Sequence, residues 1–169
     1  NFTYVLPRAE IPVAKVRATA GGGWEWERGK PLSITRRHQI GTFADFCNEC
    51  GNCDVFCPED GGPYVLKPRF FGSREQWELY PTHDGFFVER DAERDTVLGR
   101  FSGAAFTLRV RGDQATFGGE GFELGFSTED VPSTLVGSAS REVDLTYFFI
   151  MNWLRKALLD GAEIHYVNA

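Results

Sequence analysis

The chain has 169 residues, a hydrophobic share of 42% and a formal net charge of −6 at neutral pH. The negative charge argues against nonspecific binding to nucleic acid or to anionic membranes, and the apolar share is sufficient for a packed core. No apolar run reaches the roughly 18 residues that a membrane-spanning helix requires, so we expect no membrane segment. Because no secretory signal is recognisable either, we expect a cytoplasmic protein.

Residues 1–36 are expected to form short strands interrupted by a glycine-rich break. The strands are predicted at Phe2–Leu6, Val13–Ala18 and Trp24–Arg28, the last because aromatic and charged residues alternate there. The glycines at 21–23 are not followed by the lysine of a phosphate-binding loop and have no clear strand–loop–helix context. We therefore expect them to form a flexible break.

A small basic cluster, Arg36, Arg37 and His38, comes next. One interpretation is that these residues form a solvated strand end. The other is a contact for an acidic partner or for a cofactor phosphate, because a guanidinium group matches phosphate geometry. A strand predicted at His38–Phe46 then leads into the segment that carries the cysteines.

All four cysteines of the chain lie close together, at Cys47, Cys50, Cys53 and Cys57, and Pro58 follows at once. The spacing C-x2-C-x2-C-x3-C-P is typical of iron–sulfur ligands in bacterial ferredoxins. Structural zinc sites usually separate two C-x2-C pairs by about a dozen residues or more, and disulfides between such close neighbours would close small strained rings. The spacing therefore predicts an iron–sulfur site.

The sequence leaves the fourth ligand of this site open. In two-cluster ferredoxins the fourth cysteine of such a run binds the other cluster, and this chain has no second run. Cys47, Cys50 and Cys53 are expected to share one cluster. The fourth ligand could be Cys57, a carboxylate such as Asp54, or a cysteine from a missing segment or another chain.

Acidic and apolar residues surround the cysteines, and the segment 45–60 contains no Lys or Arg. Negative charge near a cluster disfavours adding an electron, so the acidic residues are expected to lower its reduction potential and to attract a basic partner. The alternative is that they are simply exposed loop residues. The apolar residues are expected to keep water away from the cluster. The acidic residues are Asp45, Glu49, Asp54, Glu59 and Asp60; the apolar ones are Phe43, Phe46, Val55 and Phe56.

The stretch 43–71, above all FCNECGNCDVFCPEDGGPY, resembles the C-terminal part of the family named "putative selenate reductase subunit". Its members are large iron–sulfur flavoproteins related to the glutamate synthase small subunit. The resemblance implies [4Fe–4S] binding at Cys47, Cys50, Cys53 and Cys57. It also implies that this chain is a C-terminal piece. The electron partners would be upstream flavin and pyridine-nucleotide domains of the same parent protein, or a redox partner protein.

Flavin and NAD(P)H are expected only in those upstream domains, because this chain has no G-x-G-x-x-G motif after a strand. His83 and Asp84 are neighbours, but we expect a surface turn rather than a catalytic pair. No base–nucleophile constellation stands out elsewhere. We therefore expect this chain to be part of an oxidoreductase without an independent catalytic site.

Beyond the cysteines, alternating apolar residues predict several strands and the C-terminal end predicts one helix. The region 127–140 is expected to be a polar loop. The helix is predicted at Val143–Leu159 and is apolar almost all round, which is typical of a buried helix. The strands are predicted at Tyr64–Phe71, Trp77–Tyr80, Phe86–Arg90, Thr96–Ser102, Phe106–Arg111, Gln114–Phe117, Phe122–Phe126 and Ile164–Val167.

These patterns predict an α+β protein in which a half-ferredoxin-like cluster loop joins an antiparallel sheet covered by one long C-terminal helix. The predicted segments are 1–36 with the N-terminal strands, 37–72 with the ferredoxin-type cluster, and 73–169 as the antiparallel β-domain. The favoured function is an electron-transfer module of a larger flavin- and pyridine-nucleotide-linked oxidoreductase. The alternative is a structural or assembly module with a redox-silent metal centre that docks a partner.

Overall fold

The computed structural model describes residues 1–7, 10–56, 63–161 and 164–168. Within them the strands are β1 Phe2–Val5, β2 Glu10–Ile11, β3 Ala14–Ala18, β4 Trp24–Arg28, β5 Leu32–Ser33, β6 His38–Phe43, β7 Arg69–Phe71, β8 Gly85–Arg90, β9 Asp95–Phe101, β10 Ala104–Arg111, β11 Gln114–Gly119, β12 Phe122–Ser127, β13 Val136–Ala139 and β14 Val143–Asp144. The α-helices are α1 Pro63–Leu66, α2 Arg74–Leu79, α3 Val131–Thr134 and α4 Thr146–Leu159, and two 3₁₀ turns lie at Ala44–Phe46 and Asp54–Phe56.

One nine-stranded sheet dominates the described part of the chain, in the order β1-β6-β7-β8-β9-β10-β11-β12-β13. From β8 to β13 each strand pairs antiparallel with the next; short turns connect β8 to β12, and a longer segment with α3 leads from β12 to β13. The pairings of β6 with β7 and of β7 with β8 are parallel. Two small sheets, β14-β3-β4 and β2-β5, complete the strand pairing.

In the middle of the meander β8–β13, buried residues alternate with more exposed ones along the strands. Leu108, Phe117 and Leu124 are fully buried, one on each of the three successive strands β10, β11 and β12. Leu108 is paired with Phe117 and Phe117 with Leu124, so the three side chains share one face of the sheet. This face forms the centre of the apolar core.

Helix α4 packs its apolar side chains into this core. The Phe148 ring is fully buried, and its centroid lies 4.6 Å from that of Phe126 and 6.1 Å from that of Phe117. Gly99 of β9 allows a close approach, since a Cβ there would come within 3.2 Å of Met151 Sδ. None of the helices found in the described residues has the length and apolarity that crossing a membrane requires.

A buried ion group joins the C-terminal half of α4 to the sheet. The carboxylate of Asp95, at the start of β9, accepts hydrogen bonds from Arg155 of α4 and from Arg90 of β8. Arg90 also donates to the Asp160 carboxylate and to the carbonyl of Leu159. Burial by itself raises the pKa of Asp95, but the two arginines outweigh burial and hold that pKa below its ordinary value.

The predicted α+β class fits this architecture broadly, but the predicted arrangement is wrong. The structure has no half-ferredoxin-like cluster loop set beside a purely antiparallel sheet under one long C-terminal helix; within the described residues it has a mixed nine-stranded sheet with several short helices. The physical reason is that the strands on both sides of the cysteines, β6 and β7, pair with each other and join the large sheet. The predicted division at 36 and 72 remains a prediction.

Two predicted strands are helical in the structure. The stretch Tyr64–Phe71 begins inside helix α1 and only its last three residues form β7. Trp77–Tyr80 falls largely in α2, whose N-cap Ser73 accepts a hydrogen bond from the N–H of Gln76 (3.1 Å). Trp77 is buried, as expected of an aromatic residue, but it lies in a helix and not in a strand. Its indole N–H donates a hydrogen bond to the carbonyl of Gly85 (3.2 Å).

The C-terminal predictions also need correction. The long helix begins at Thr146 rather than at Val143, because β14 (Val143–Asp144) pairs with β3. The region 127–140 is not only loop, since it contains α3 and the edge strand β13. The described residues 164–168 form no strand.

Candidate functional site

The cysteine-bearing loop connects β6 to β7, and two tight backbone positions shape it. Glu49 and Gly51 adopt positive φ angles of 54° and 78°. Gly51 has no Cβ to oppose this conformation, whereas Glu49 has one, which makes residue 49 a strained position. The side chain of Asn48 accepts a hydrogen bond from the N–H of Cys50 (3.3 Å), and this contact supports the turn between them.

Polar contacts fix the start of the loop against the end of β7. Asp45 accepts a hydrogen bond from the N–H of Gly72 (3.0 Å), and a Cβ at residue 72 would collide with the same carboxylate. Arg69, the first residue of β7, forms an ion pair with Glu49 (Nη2 to Oε1, 3.0 Å). The loop thus lies against the parallel strand that follows it in sequence.

Three of the four predicted ligands share one cavity. Cys47 and Cys53 are half-buried, Cys50 is exposed, and none of the three is in a disulfide. All three line a cavity of about 340 Å³. The fourth predicted ligand, Cys57, lies outside the described residues, as do Glu59 and Asp60. The described thiols therefore converge on a common space without being bonded to one another.

Aromatic rings form one wall of this cavity, which we call the thiol cavity. Phe43 is buried and stacks on Tyr166 (centroids 5.2 Å apart), and Phe46 contacts both rings edge-on at 5.2 and 5.4 Å. The predicted apolar shell is therefore only partly present. Phe46 is 74% exposed and Val55 is 81% exposed, so neither excludes much water. Tyr166 was not predicted, because no sequence spacing links it to the cysteines.

The described donors at this site are thiols, a ligand type that both zinc and iron–sulfur sites use. Among the described residues, no three His, Cys, Asp or Glu side chains are grouped so that they could hold one metal ion. A zinc ion requires its donors about 2.0–2.3 Å away, all around one point. In a [4Fe–4S] cluster each thiolate binds a different iron, so the ligand sulfurs surround a larger body. Three thiols that line one small cavity are the residue type that such a cluster would require.

Other groups of the protein contact some of the acidic side chains of the loop and partly offset their negative charge. Asp45 is engaged by a backbone N–H, and Glu49 pairs with Arg69 and lies 3.8 Å from His83 Nε2. The sequence segment 45–60 contains no cation, but folding brings Arg69 to it from β7. This contribution could not be found from sequence proximity alone.

His83 and Asp84 lie at a turn before β8, as expected, and their side chains contact different groups. The Asp84 carboxylate accepts hydrogen bonds from the backbone N–H groups of Ser102 and Gly103. His83 packs edge-on against Tyr80, with ring centroids 5.5 Å apart. Asp84 thus stabilises the β9–β10 turn.

The predicted basic cluster divides into two parts. Arg37 donates hydrogen bonds to the backbone carbonyls of Leu6 (3.0 Å) and Pro7 (3.4 Å), so its guanidinium holds two chain segments together. Arg36 and His38 are exposed and line a large cavity.

A segment of this α+β chain is similar in sequence to a protein named as an oxidoreductase. Over 44 residues it is 43% identical to a protein of Escherichia coli strain K12 named "Putative oxidoreductase YgfK" and to the protein of that name in Escherichia coli O157:H7. The matched segment is 26% of this chain and spans only 4% of the length of these relatives. No family model and no solved structure matches the chain.

Proposed function

We propose that this chain is an electron-transfer module that binds one [4Fe–4S] cluster at the cysteine-bearing loop. The observation that carries the proposal is that Cys47, Cys50 and Cys53, in a ferredoxin-type spacing, line one thiol cavity. The similarity of a 44-residue segment to an oxidoreductase supports a redox role. The fourth ligand would be Cys57, Asp54 or a thiol supplied from outside this chain.

In this proposal each of the described residues around the cavity would have its own role in binding the cluster. The bound cluster would supply one-electron chemistry, which the side chains of the thiol cavity do not provide by themselves. Asp45 and Arg69 hold the loop against β7 through Gly72 and Glu49. Phe43 and Tyr166 cover one side of the cavity and reduce the access of water.

The electron partners in this proposal are flavin and NAD(P)H domains of a parent protein, or a separate redox protein. The family resemblance of the cysteine stretch supports this assignment. A cytoplasmic location is part of the same proposal, because the proposed ligands must remain reduced thiols. Since Arg69 neutralises Glu49, the lowering of the reduction potential by acidic residues would come mainly from the other carboxylates.

Anaerobic purification followed by iron, sulfide and zinc analysis tests the proposal. We expect iron and sulfide in a ratio near one, visible absorbance that dithionite bleaches reversibly, and an EPR signal in the reduced state. A centre that resists reduction, and whose removal unfolds the chain, would favour the structural or assembly module instead. A colourless protein that contains zinc, or no metal, after anaerobic preparation would contradict the proposal.

Serine variants identify the ligands. We expect Cys50→Ser to abolish the visible absorbance, whereas Val55→Ser, at an exposed position of the same loop, leaves it unchanged. Cys57→Ser and Asp54→Ala distinguish the candidate fourth ligands, because loss of the true ligand should give a three-iron EPR species. If Cys50→Ser retained the full spectrum, the thiol cavity would not be the binding site.

A further inference from the structure

Strand β4 lies at one edge of the small sheet β14-β3-β4. It pairs antiparallel with β3 alone, from Trp24 opposite Ala18 to Arg28 opposite Ala14. Among the described residues no strand pairs with its other side. The backbone N–H and C=O groups on that side are therefore available to a further strand. We call this side of β4 the open edge.

Two hydrogen bonds show which residues of β4 face the open edge. The carbonyl of Val13 accepts from the N–H of Gly29 (3.0 Å), and the carbonyl of Ala14 accepts from the N–H of Leu145 (2.8 Å). Backbone groups alternate in direction along a strand, so odd-numbered residues of β3 face β4 and even-numbered ones face β14. By the same alternation, the even-numbered residues of β4 face away from β3. They are Trp24, Trp26 and Arg28.

The side chains of β4 separate into an aromatic face and an acidic face. Trp24 and Trp26 are half-buried and pack against the apolar core, whereas Glu25 and Glu27 are exposed on the opposite face. The guanidinium group of Arg28 lies over the Trp26 ring, 5.9 Å from its centroid, so this cation is on the aromatic face. A strand added at the open edge would place alternate side chains beside the rings and beside the carboxylates.

The two carboxylates of the acidic face have no ion-pair partner in the described part of the chain. Glu25 lies opposite Arg17 and Glu27 opposite Lys15 on β3. Both cations instead contact Glu142, with Arg17 Nη2 3.1 Å from Oε2 and Lys15 Nζ 3.3 Å from Oε1. Neither Glu25 nor Glu27 forms an ion pair there. Unpaired carboxylates in a chain of net charge −6 favour a basic partner.

A second copy of β4 would not supply the missing cations. In antiparallel pairing the outward-facing groups of two strands meet, so even-numbered residues lie opposite even-numbered ones. Each glutamate would then lie opposite an odd-numbered residue of the other copy. In and beside β4 these residues are Gly23, Glu25, Glu27 and Gly29. Because like charges opposite each other are destabilising, the open edge disfavours pairing with itself.

We propose that the open edge is a docking site for an extended basic segment of a partner protein, which adds to β4 as an antiparallel strand. Its backbone pairs with that of Trp24 and Trp26. Its Lys or Arg side chains lie opposite Glu25 and Glu27, and the apolar side chains between them cover the tryptophan rings. No residue of β4 lines the thiol cavity, so this docking site is distinct from the proposed cluster site.

Fluorescence anisotropy with a labelled peptide of about eight residues, alternating Lys and Val, tests the proposal. We expect saturable binding to the whole chain, and binding roughly tenfold weaker when Glu replaces Lys in the peptide. A peptide that does not bind, or that binds equally well with Glu, would contradict the proposal.

Backbone methylation of the peptide distinguishes strand addition from simple charge attraction. In the proposed register the Val N–H groups of the peptide face β4 and the Lys N–H groups face away from it. Methylation of the Val nitrogens should therefore weaken binding roughly tenfold, whereas methylation of the Lys nitrogens should change it less than about twofold. The two methylated peptides carry the same charge. If both bound as the unmodified peptide does, net charge alone would attract it and the proposal would be wrong.

Two matched variants locate the binding on the protein. Glu27→Lys should weaken peptide binding roughly tenfold. Glu89→Lys, at an exposed position of β8 that likewise forms no ion pair among the described residues, should change it less than about twofold. Both substitutions change the net charge equally. Equal effects on the affinity would show that the peptide does not bind at β4.

Amide exchange and the oligomeric state complete the test. Hydrogen exchange of the Trp26 amide should slow when the peptide is added, while that of the Glu25 amide, which faces β3, should not change. An unchanged Trp26 rate would contradict the proposal. So would a dimer of the chain that the peptide dissociates in sedimentation, because a second copy would then occupy the open edge. None of these measurements depends on iron, so their outcome is separate from that of the proposed electron transfer.

Discussion

The β8–β13 meander and the cysteine-bearing loop show two different ways in which this chain is ordered. In the meander, Leu108, Phe117 and Leu124 are completely buried, and apolar packing determines the structure. In the loop, Cys50 and Val55 are exposed, and the start of the loop is held by a few polar contacts. Substitutions in the apolar core should therefore strongly reduce the free energy of unfolding. Substitutions in the loop should change the chemistry of the thiols while reducing that free energy only slightly.

The largest expected effect tests the packed half of this comparison. Phe148→Ala removes a fully buried ring that contacts Phe126 and Phe117, and we expect a loss of about 3–5 kcal/mol in the free energy of unfolding. Val55→Ala, at an 81% exposed loop position, should change it by less than about 0.5 kcal/mol. Urea denaturation followed by circular dichroism measures both. Similar losses in the two variants would mean that loop and core are equally important for stability.

The buried ion group at the end of α4 gives the next largest effect. Asp95→Asn leaves Arg155 buried without its counter-charge, and we expect a loss of about 3 kcal/mol. Asp160→Asn is the matched control, since this carboxylate is half-exposed and pairs with Arg90 alone; it should cost about 0.5 kcal/mol. Thermal and urea unfolding compare the two variants. A small effect of Asp95→Asn would show that the arginines find other partners.

The same carboxylate predicts a pH dependence. The pKa of Asp95 is lower in the folded protein than in the unfolded chain, so its contribution is fully present above the unfolded pKa of about 3.9. It is lost as the pH falls through the lower folded pKa. We expect the Asp95→Asn variant to lose less stability than the original protein between about pH 5 and about pH 2. If the free energy of unfolding changed equally with pH in the original protein and in the Asp95→Asn variant, Asp95 would not be the source of the pH dependence.

The sequence predicted the meander well because residues close in sequence determine it. The hairpin around Gly112, in the meander, alternates cleanly and forms strands in the structure, as does Trp24–Arg28 in one of the small sheets. Helix α2 was missed although Ser73 and Gln76 have the spacing of a capping box, because the aromatic residues after Ser73 favoured a strand. The parallel pairing of β7 with β6 and β8 could not be predicted, because three residues carry too little pattern to indicate a partner.

The candidate site shows the same limit. Four cysteines at ferredoxin spacing were visible in the sequence, whereas the contacts of Tyr166 and Arg69 with the loop depend on long-range folding. Such contacts join residues that are far apart in sequence, so the local periodicity of apolar residues does not indicate them. The loop chemistry was therefore predictable from spacing, but the residues that surround and orient it were not.

The smallest expected effect on stability tests the loop itself. Asp45→Ala removes the acceptor for the N–H of Gly72, and we expect a loss of only about 1 kcal/mol in the free energy of unfolding. The loop should nevertheless open more often, so the half-buried thiols of Cys47 and Cys53 should react faster with a thiol reagent in the metal-free protein. Val55→Ala, at an 81% exposed position of the same loop, is the control and should leave these rates nearly unchanged. Faster reaction in the Asp45 variant alone would mean that the contact with β7 controls access to the thiol cavity, whereas equal rates would show that the loop is held elsewhere.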